Sequence, residues 1–397
     1  MKKQTGHIKE LQDLVKSIEN VDDITNLINT ALSMMYGNRH KPISKNTILY
    51  YANHKNSPKR YKRFEIAKKS GGRRTIHAPA GKLKSILRAL NFILQAIETP
   101  HKAATGFVSG KSIVDNAFAH TKHYYVYNID LKDYFHSFDL FRVKKVFMFG
   151  NFKLNGNKEP LAYLLARLVT HPLEVNGEIK AVLPQGSPAS PVITNILSKT
   201  LDRRLSGLAK RFGLIYSRYA DDITFSSLHN VYKNEEFLNE LNRIITEQGF
   251  AVNPAKTRLQ KTGYRQEVTG LVVNEKVNVR RRYIKRLRNW LYLWERYGYE
   301  KAQTCFLKDY KKDKGHIVRH EPNIINVIDG KLEYLKMVKG EKDGTYQKLK
   351  ARFDKLAGSI DPVNEVLEIW EKEGIDKAME VFYTIIKPEK TLKTTAD

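Results

Sequence analysis

Apolar side chains recur every third or fourth residue near the start of the chain, at Ile8, Leu11, Leu14, Val15, Ile18, Val21, Ile24, Leu27, Ile28 and Leu32. This spacing predicts one or two amphipathic helices within residues 6–36. A basic, polar stretch runs from Tyr50 to Tyr61. Phe64-Glu-Ile-Ala then leads into Ser70-Gly71-Gly72, the pattern of a strand entering a hairpin. From Gly81 to Ile97 the positions Leu83, Ile86, Leu87, Leu90, Ile93 and Leu94 restore the helical period. The run from Tyr124 to Asp130 is β-branched and aromatic, which predicts a buried strand ending in a carboxylate. A helix is expected from Leu140, and another over 190–211, where Pro188 and Pro191 suit a first turn. Leu214 to Tyr219 and Ile223 to Ser226 read as strands flanking Ala220-Asp221-Asp222, a hairpin with acids at its tip. Beyond it, 235–248 is helical in pattern, Glu267 to Val273 reads as a strand, and Val277 to Tyr299 as a basic helical stretch. Further helices are predicted at 301–310, 325–338, 345–357 and 362–382, with a frayed tail from Lys387. Strands mixed with helices up to residue 275, and only helices afterwards, predict an α+β body with an all-helical appendage.

Composition sharpens this picture. The 397 residues are 41% hydrophobic and 10% aromatic, a globular composition with length enough for two or three subdomains. Lys and Arg number 69 against 42 Asp and Glu, leaving a formal charge of +27. So positive a surface points to a polyanion, nucleic acid before an anionic membrane. Cys305 is the only cysteine, which excludes an internal disulfide and a cysteine-based zinc site. The first residues mix charge into an amphipathic pattern unlike a signal peptide, and no apolar run approaches the roughly 20 residues of a membrane helix. A soluble, cytoplasmic protein with no membrane partner is expected.

The candidate chemistry begins at Tyr219-Ala220-Asp221-Asp222. A lone Asp-Asp pair is usually a solvated turn. Here it lies between apolar strands, where uncompensated negative charge is costly and a cation would offset it. With Asp130 at the end of another apolar strand, these acids supply the oxygen ligands that magnesium prefers. Two such ions can activate an attacking 3′ hydroxyl and steady a leaving pyrophosphate.

The wider order of motifs carries more weight. Gly72-Arg-Arg-Thr-Ile-His-Ala-Pro79, Gly106-Phe-Val-Ser-Gly-Lys-Ser112, Asn128-Ile-Asp-Leu-Lys-Asp-Tyr-Phe135, Leu183-Pro-Gln-Gly-Ser-Pro-Ala-Ser-Pro191, Arg218-Tyr-Ala-Asp-Asp222 and Gly249-Phe-Ala-Val-Asn-Pro-Ala-Lys-Thr257 follow one another. This succession resembles the consecutive motifs of reverse transcriptases over residues 64–275. The resemblance implies a right-hand polymerase, with fingers and palm of antiparallel sheet plus helices and an all-helical thumb. It implies that Asp130, Asp221 and Asp222 are catalytic and bind two Mg2+ ions, with the Leu131 carbonyl as a further ligand. It makes Phe135 the aromatic gate that rejects a ribose 2′ hydroxyl, although a core aromatic is the simpler reading of a Phe. Gln185 and Gly186 are expected beside the incoming deoxynucleoside triphosphate, and Lys68 and Arg74 on its phosphates, with Arg73 competing for that place. Lys256 matches a lysine near those phosphates and could donate a proton to pyrophosphate, or be an ordinary surface lysine.

Two more patterns, Asn116-Ala-Phe-Ala-His120 and Val268-Thr269-Gly270, resemble signatures of the bacterial retron enzymes within this family. Both are expected to contact RNA, although Asn116 and His120 could instead hydrogen-bond within the core. The segment holding Arg280, Arg281, Arg282, Lys285 and Arg286 reads as a thumb helix tracking RNA on one face and packing on the other. The expected divisions are 1–45 for an N-terminal helical region, 46–275 for fingers and palm, 276–360 for the thumb, and 361–397 for a helical extension and tail. The resemblance implies a retron RNA-directed DNA polymerase that copies a structured noncoding RNA into branched, RNA-linked single-stranded DNA. An antiphage role beside a separate effector protein is part of that implication. Another bacterial defence-associated or group II intron-like reverse transcriptase, or a nonpolymerising RNA-binding scaffold, are the other readings.

Overall fold

The computed structural model describes residues 2–67, 71–314, 321–358 and 362–385. The chain divides into two compact units, with the boundary in sequence between Lys276 and Val277.

In the first unit the early amphipathic stretch is two helices, α1 (Lys2–Lys16) and α2 (Val21–Tyr36). They separate at Asn20, whose side chain accepts from the N–H groups of Asp22 and Asp23 while Asp23 accepts from the Asn20 N–H. That reciprocal cap starts α2 and explains the break. The polar stretch that follows holds two short helices the pattern did not suggest, α3 (Lys45–Ala52) and α4 (Ser57–Arg60). The hairpin around Gly71-Gly72 is β1 (Tyr61–Ala67) paired with β2 (Arg73–Pro79). Helix α5 (Gly81–Ile97) coincides with the predicted stretch, and its buried leucines and isoleucines receive α1 and α2.

Next come α6 (Ile113–Phe118), β3 (Tyr125–Asp130), α7 (Leu140–Phe149) and α8 (Glu159–Val169). A second hairpin, β4 (His171–Val175) with β5 (Glu178–Val182), turns on Asn176 and Gly177, both at positive φ. The single helix expected over 190–211 is instead α9 (Ser190–Leu197) and α10 (Lys199–Arg211), parted at Ser198. The acidic hairpin is β6 (Ile215–Tyr219) and β7 (Asp222–Ser227), followed by α11 (Glu235–Glu247) and β8 (Arg258–Lys261). Strands pair antiparallel in the order β6-β7-β3-β8, which puts β7 and β3 at the centre.

Side chains alternate across β7. Ile223 and Phe225 enter the apolar core, while Thr224 and Ser226, also buried, meet polar partners. The sheet therefore has one greasy face and one hydrogen-bonded face.

The strand expected over Glu267–Val273 is a tight hairpin of β9 (Glu267–Val268) and β10 (Leu271–Val272). Its two loop residues, Thr269 (φ 47°) and Gly270 (φ 82°), are both left-handed, as a type I′ turn requires.

Among the described residues of the second unit, every element of secondary structure is a helix. Helix α12 (Arg281–Lys314) bends at Gly298 (φ 77°), near the expected boundary between two helices. It packs with α13 (Ile324–Lys339) and α14 (Gly344–Gly358) through residues such as Leu287, Leu291, Ile328, Leu332 and Phe353. The stretch 362–382 is a helical hairpin, not one helix: α15 (Pro362–Glu373) and α16 (Ile375–Ile385) part at Gly374 (φ 91°). Among the described residues no helix is long and apolar enough to cross a membrane.

Threonine at φ 47° is strained, because its branched Cβ crowds the backbone. Thr269→Asn suits a type I′ turn better and surrenders only a 3.2 Å hydroxyl bond to the Ile113 carbonyl. It should stabilise the protein by up to about 1 kcal/mol, read as a rise of up to about 2 °C in Tm. A fall in Tm would show that the hydroxyl contact outweighs the strain.

Candidate active site

Strand register brings the acids together. Asp130 and Asp222 are direct cross-strand partners on the central strands, a pairing that leaves like charges opposed. Tyr219 and Asp222 close a two-residue turn, which places Ala220 and Asp221 at its tip. Ala220 adopts φ 56°, and the Leu131 N–H donates to the Asp221 carbonyl at 2.9 Å, tying the end of β3 to the turn. Burial, reinforced by the neighbouring charge of Asp221, pushes the Asp222 carboxyl up to about 7. Burial also raises Asp221, with Asp130 adding to the effect and Lys256 and Arg74 opposing it.

Asp130 already has a cation beside it. Lys256 Nζ lies 2.9 Å from both of its carboxylate oxygens, and the Asn253 side chain donates to Oδ1 at 3.2 Å. Among the described residues no three His, Cys, Asp or Glu side chains are gathered closely enough to hold a metal as they stand. The donor set nonetheless suits one: clustered carboxylates, two with raised pKa, and an ammonium ion where positive charge is wanted.

A buried framework holds the turn. Arg218 donates from Nε and Nη2 to the two oxygens of Asp202, at 2.7 Å each, and both side chains are fully buried. Its Nη1 reaches the Ala220 carbonyl at 3.1 Å and the Tyr134 hydroxyl at 2.9 Å. Asn195 accepts from Nη2 at 3.2 Å and donates to the Gly106 carbonyl at 2.8 Å. Gly106 lies so near the turn that a Cβ there would stand 2.7 Å from the Ala220 nitrogen. Sequence reasoning did not single out Arg218, Asp202, Tyr134, Asn195 or Gly106 as site residues. The signal was a charge out of pattern: Arg218 inside an apolar strand, and Asp202 on the same helical face as Leu201, Leu205 and Leu208.

The nucleotide-side residues are partly assembled. The His77 N–H donates to the Gln185 carbonyl at 2.8 Å, fixing that loop on β2. Gly186 (φ 112°) has no room for a side chain, since a Cβ would meet the His77 oxygen at 2.7 Å. Arg73 pairs with Glu65 at 3.1 Å, whereas Arg74 is exposed and its charge acts on Asp221, which favours Arg74 of the two. Phe135 is half-buried beside Tyr134. Lys68 lies outside the described residues.

The retron-like signatures need correction as contacts. Asn116 and His120 are wholly buried, so neither is available to RNA. His120 bridges Ser226 and Ser217 at 2.7 Å each, and Asn116 Oδ1 accepts from Ser217 and Thr105 at 2.7 Å. They form the polar face behind the strands that carry the acids. Val268 is buried too, leaving Thr269 half-buried and Gly270 exposed at the hairpin tip. Arg280, Arg281, Arg282 and Lys285 are exposed at the start of the second unit, and Arg286 is half-buried.

With this geometry in place, the chain can be assigned: it belongs to the reverse transcriptase family. The profile of that family, described as reverse transcriptase (RNA-dependent DNA polymerase), matches residues 66–280, more than half of the chain. Within the family it is similar to the retron Mx65 reverse transcriptase of Myxococcus xanthus, 35% identical over 292 residues, covering 71% of this chain and 62% of that protein. The retron Mx162 reverse transcriptase of the same organism is 39% identical over 230 residues, 54% of this chain and 47% of the relative. The retron Ec86 reverse transcriptase of Escherichia coli is 34% identical over 235 residues, 58% and 68% respectively. The chain thus spans less than two thirds of the length of the two Myxococcus proteins.

Burial lowers the His120 pKa to about 3, the nearby His123 charge adding to the effect. A neutral buried histidine stabilises the fold above its unfolded pKa of about 6.5, and this is lost as pH falls from there towards 3. His120 alone should cost up to about 1.4 kcal/mol per pH unit in that window. Asp222 runs the other way, favouring the fold as pH falls from about 7. Urea melts of wild type and His120→Gln at pH 7.5 and 5.5 isolate the histidine: the wild type should lose more stability on acidification. Parallel losses would refute the neutral histidine.

Proposed function

We propose that this protein is the RNA-directed DNA polymerase of a retron, copying a structured noncoding RNA into single-stranded DNA that remains joined to the RNA through a 2′ branch. The observation that carries the reading is the register pair of Asp130 and Asp222 with Asp221 at the adjoining turn, in a reverse transcriptase chain whose relatives are retron enzymes. Residues 46–275 act as fingers and palm, 276–360 as the thumb, and 361–397 as a C-terminal extension and tail, of which 386–397 lie outside the described residues.

Asp130, Asp221 and Asp222, with the Leu131 carbonyl, hold the cations. Two Mg2+ ions suit this set and, when bound, supply activation of the 3′ hydroxyl and stabilisation of the leaving pyrophosphate. Lys256 must leave Asp130 for that carboxylate to serve as a ligand, and it is then free to face the triphosphate of the incoming deoxynucleotide. Arg74 and Lys68 grip the same phosphates, and the Gln185-Gly186 loop supports the base and sugar. Phe135 closes the sugar pocket against a 2′ hydroxyl. Thr269, Gly270 and the basic start of α12 hold the RNA. The enzyme works in the bacterial cytoplasm, beside an effector protein, in defence against phage.

Sequencing the nucleic acid that copurifies with the protein tests this reading most directly. One structured RNA covalently joined to DNA is expected; a mixed population of cellular RNA would point to another lineage.

Asp221→Asn with Asp222→Asn should abolish DNA synthesis and yet raise the Tm of the protein in EDTA by a few degrees, because two crowded, half-buried charges are removed. Residual polymerisation would sink the assignment; an unchanged Tm would show that the acids carry no cost.

Exposed Arg281, Arg282 and Arg288 test the thumb. Changing all three to Gln should weaken RNA binding and reduce the slope of log affinity against log salt by about 2–3, one lost phosphate contact each. An unchanged slope would mean the RNA is held elsewhere.

A further inference from the structure

Phe107 occupies a position that local stability does not favour. Its backbone is left-handed (φ 59°) and its side chain is 42% exposed, so it strains the main chain and leaves an apolar ring in water. Several contacts hold it there regardless. The Thr105 N–H donates to the Arg218 carbonyl at 2.9 Å, Asn195 fixes the Gly106 carbonyl at 2.8 Å, and Gly106 is wedged against Ala220. Phe107 is therefore delivered to one place beside the acidic turn whenever that turn forms.

From there its ring meets two others. The centroid lies 6.2 Å from Tyr219 and 6.4 Å from Phe135, tilted by 41° and 57°. Phe135 is met from elsewhere by Tyr134, nearly edge-on at 5.8 Å, and Tyr134 is itself fixed through its hydroxyl to Arg218 and Ser198. Phe135 is thus set between an aromatic ring anchored in the core and one anchored to the catalytic turn.

We propose that Phe107 is a positioning residue that limits the movement of Phe135 and so determines how strictly the enzyme excludes ribonucleotides. This rests on Phe135 being the sugar gate. A gate of this kind works by clash with the wrong substrate, and a clash discriminates only if the ring cannot yield. Tyr134 restrains Phe135 on its own; Phe107 adds the second restraint and references it to Asp221 and Asp222, where the chemistry occurs. A strained, half-exposed phenylalanine is what that task requires.

The test measures the efficiency of GTP relative to dGTP incorporation opposite the same template base, on an annealed DNA primer and RNA template. The proteins are wild type, Phe107→Ala, Phe107→Leu, Phe135→Ala and the Phe107→Ala/Phe135→Ala double variant. Phe107→Ala should raise the ratio about two- to tenfold, the range open to one aromatic pair, and Phe107→Leu by less. In the Phe135→Ala background the second change should have no further effect, because no gate is left to restrain. The ratio is taken within one protein preparation, so partial misfolding does not move it, and Phe107→Leu retains bulk should the alanine variant fail to fold. If Phe135→Ala relaxes selectivity while neither Phe107 variant does, the positioning role is overturned and the gate stands. Independent, additive effects in the double variant also overturn it, since Phe107 would then act on the nucleotide by itself. No change in Phe135→Ala overturns the gate and this inference together.

Discussion

Everything near the acidic turn depends on one buried ion pair. Arg218 cannot lose its proton inside a protein, so its burial is tolerable only with a full set of acceptors. Asp202 takes two of its donors, and the remaining ones reach Tyr134, Asn195 and the Ala220 carbonyl. Removing one partner from such a pair typically costs about 3–5 kcal/mol, because the other charge is left unpaired. That penalty is what gives the site its precision. The left-handed Ala220, the Gly106 segment and Tyr134 are all referenced to one guanidinium whose plane is fixed by a bidentate carboxylate.

This arrangement also accounts for the two glycines at the site. Gly106 and Gly186 each lie against backbone at a distance no Cβ could occupy, one on the acidic turn and the other on β2. Loops that must lie flat on a strand need residues without side chains, and the chain places them there. The aromatic residues do the opposite. Phe107, Tyr134, Phe135 and Tyr219 form a chain of ring contacts next to the acidic turn, which Tyr219 itself closes.

What the chain disclosed in advance follows the range of the forces involved. Helix α5 and the second-unit helices were legible because their apolar period arises within a single element. The acidic hairpin was legible as adjacent strands with a short turn. Breaks at Ser198 and Gly374 were not, since periodicity continues across a cap or kink that preserves the buried face. The β4–β5 hairpin carries an Asn176-Gly177 turn, a strong signal that the apolar pattern alone passes over. The acids could be named from their neighbours in sequence. Their supports could not, because Arg218 and Asp202 meet only through the packing of α10 on β6. Asn116 and His120 mislead for a related reason. Polar residues that recur in a motif suggest a ligand, yet here they satisfy Ser217 and Ser226 on the inner face of the sheet.

The interior of this sheet therefore performs two different kinds of work. Its apolar face gathers Ile129, Ile223 and Phe225 into the core and supplies cohesion. Its polar face, running from Asn128 through Thr224 to His120, supplies register, because hydrogen-bonded groups have directions that methyl groups lack. Slipping β7 by one residue against β3 would send Thr224 and Ser226 into the greasy core and Ile223 into the polar layer. Register is also what sets Asp222 opposite Asp130. A pair of acids brought together from different strands cannot survive a slip that an apolar sheet would tolerate. The buried polar layer is thus the stability cost of keeping those carboxylates in line, and it explains why residues so far from solvent are hydrophilic.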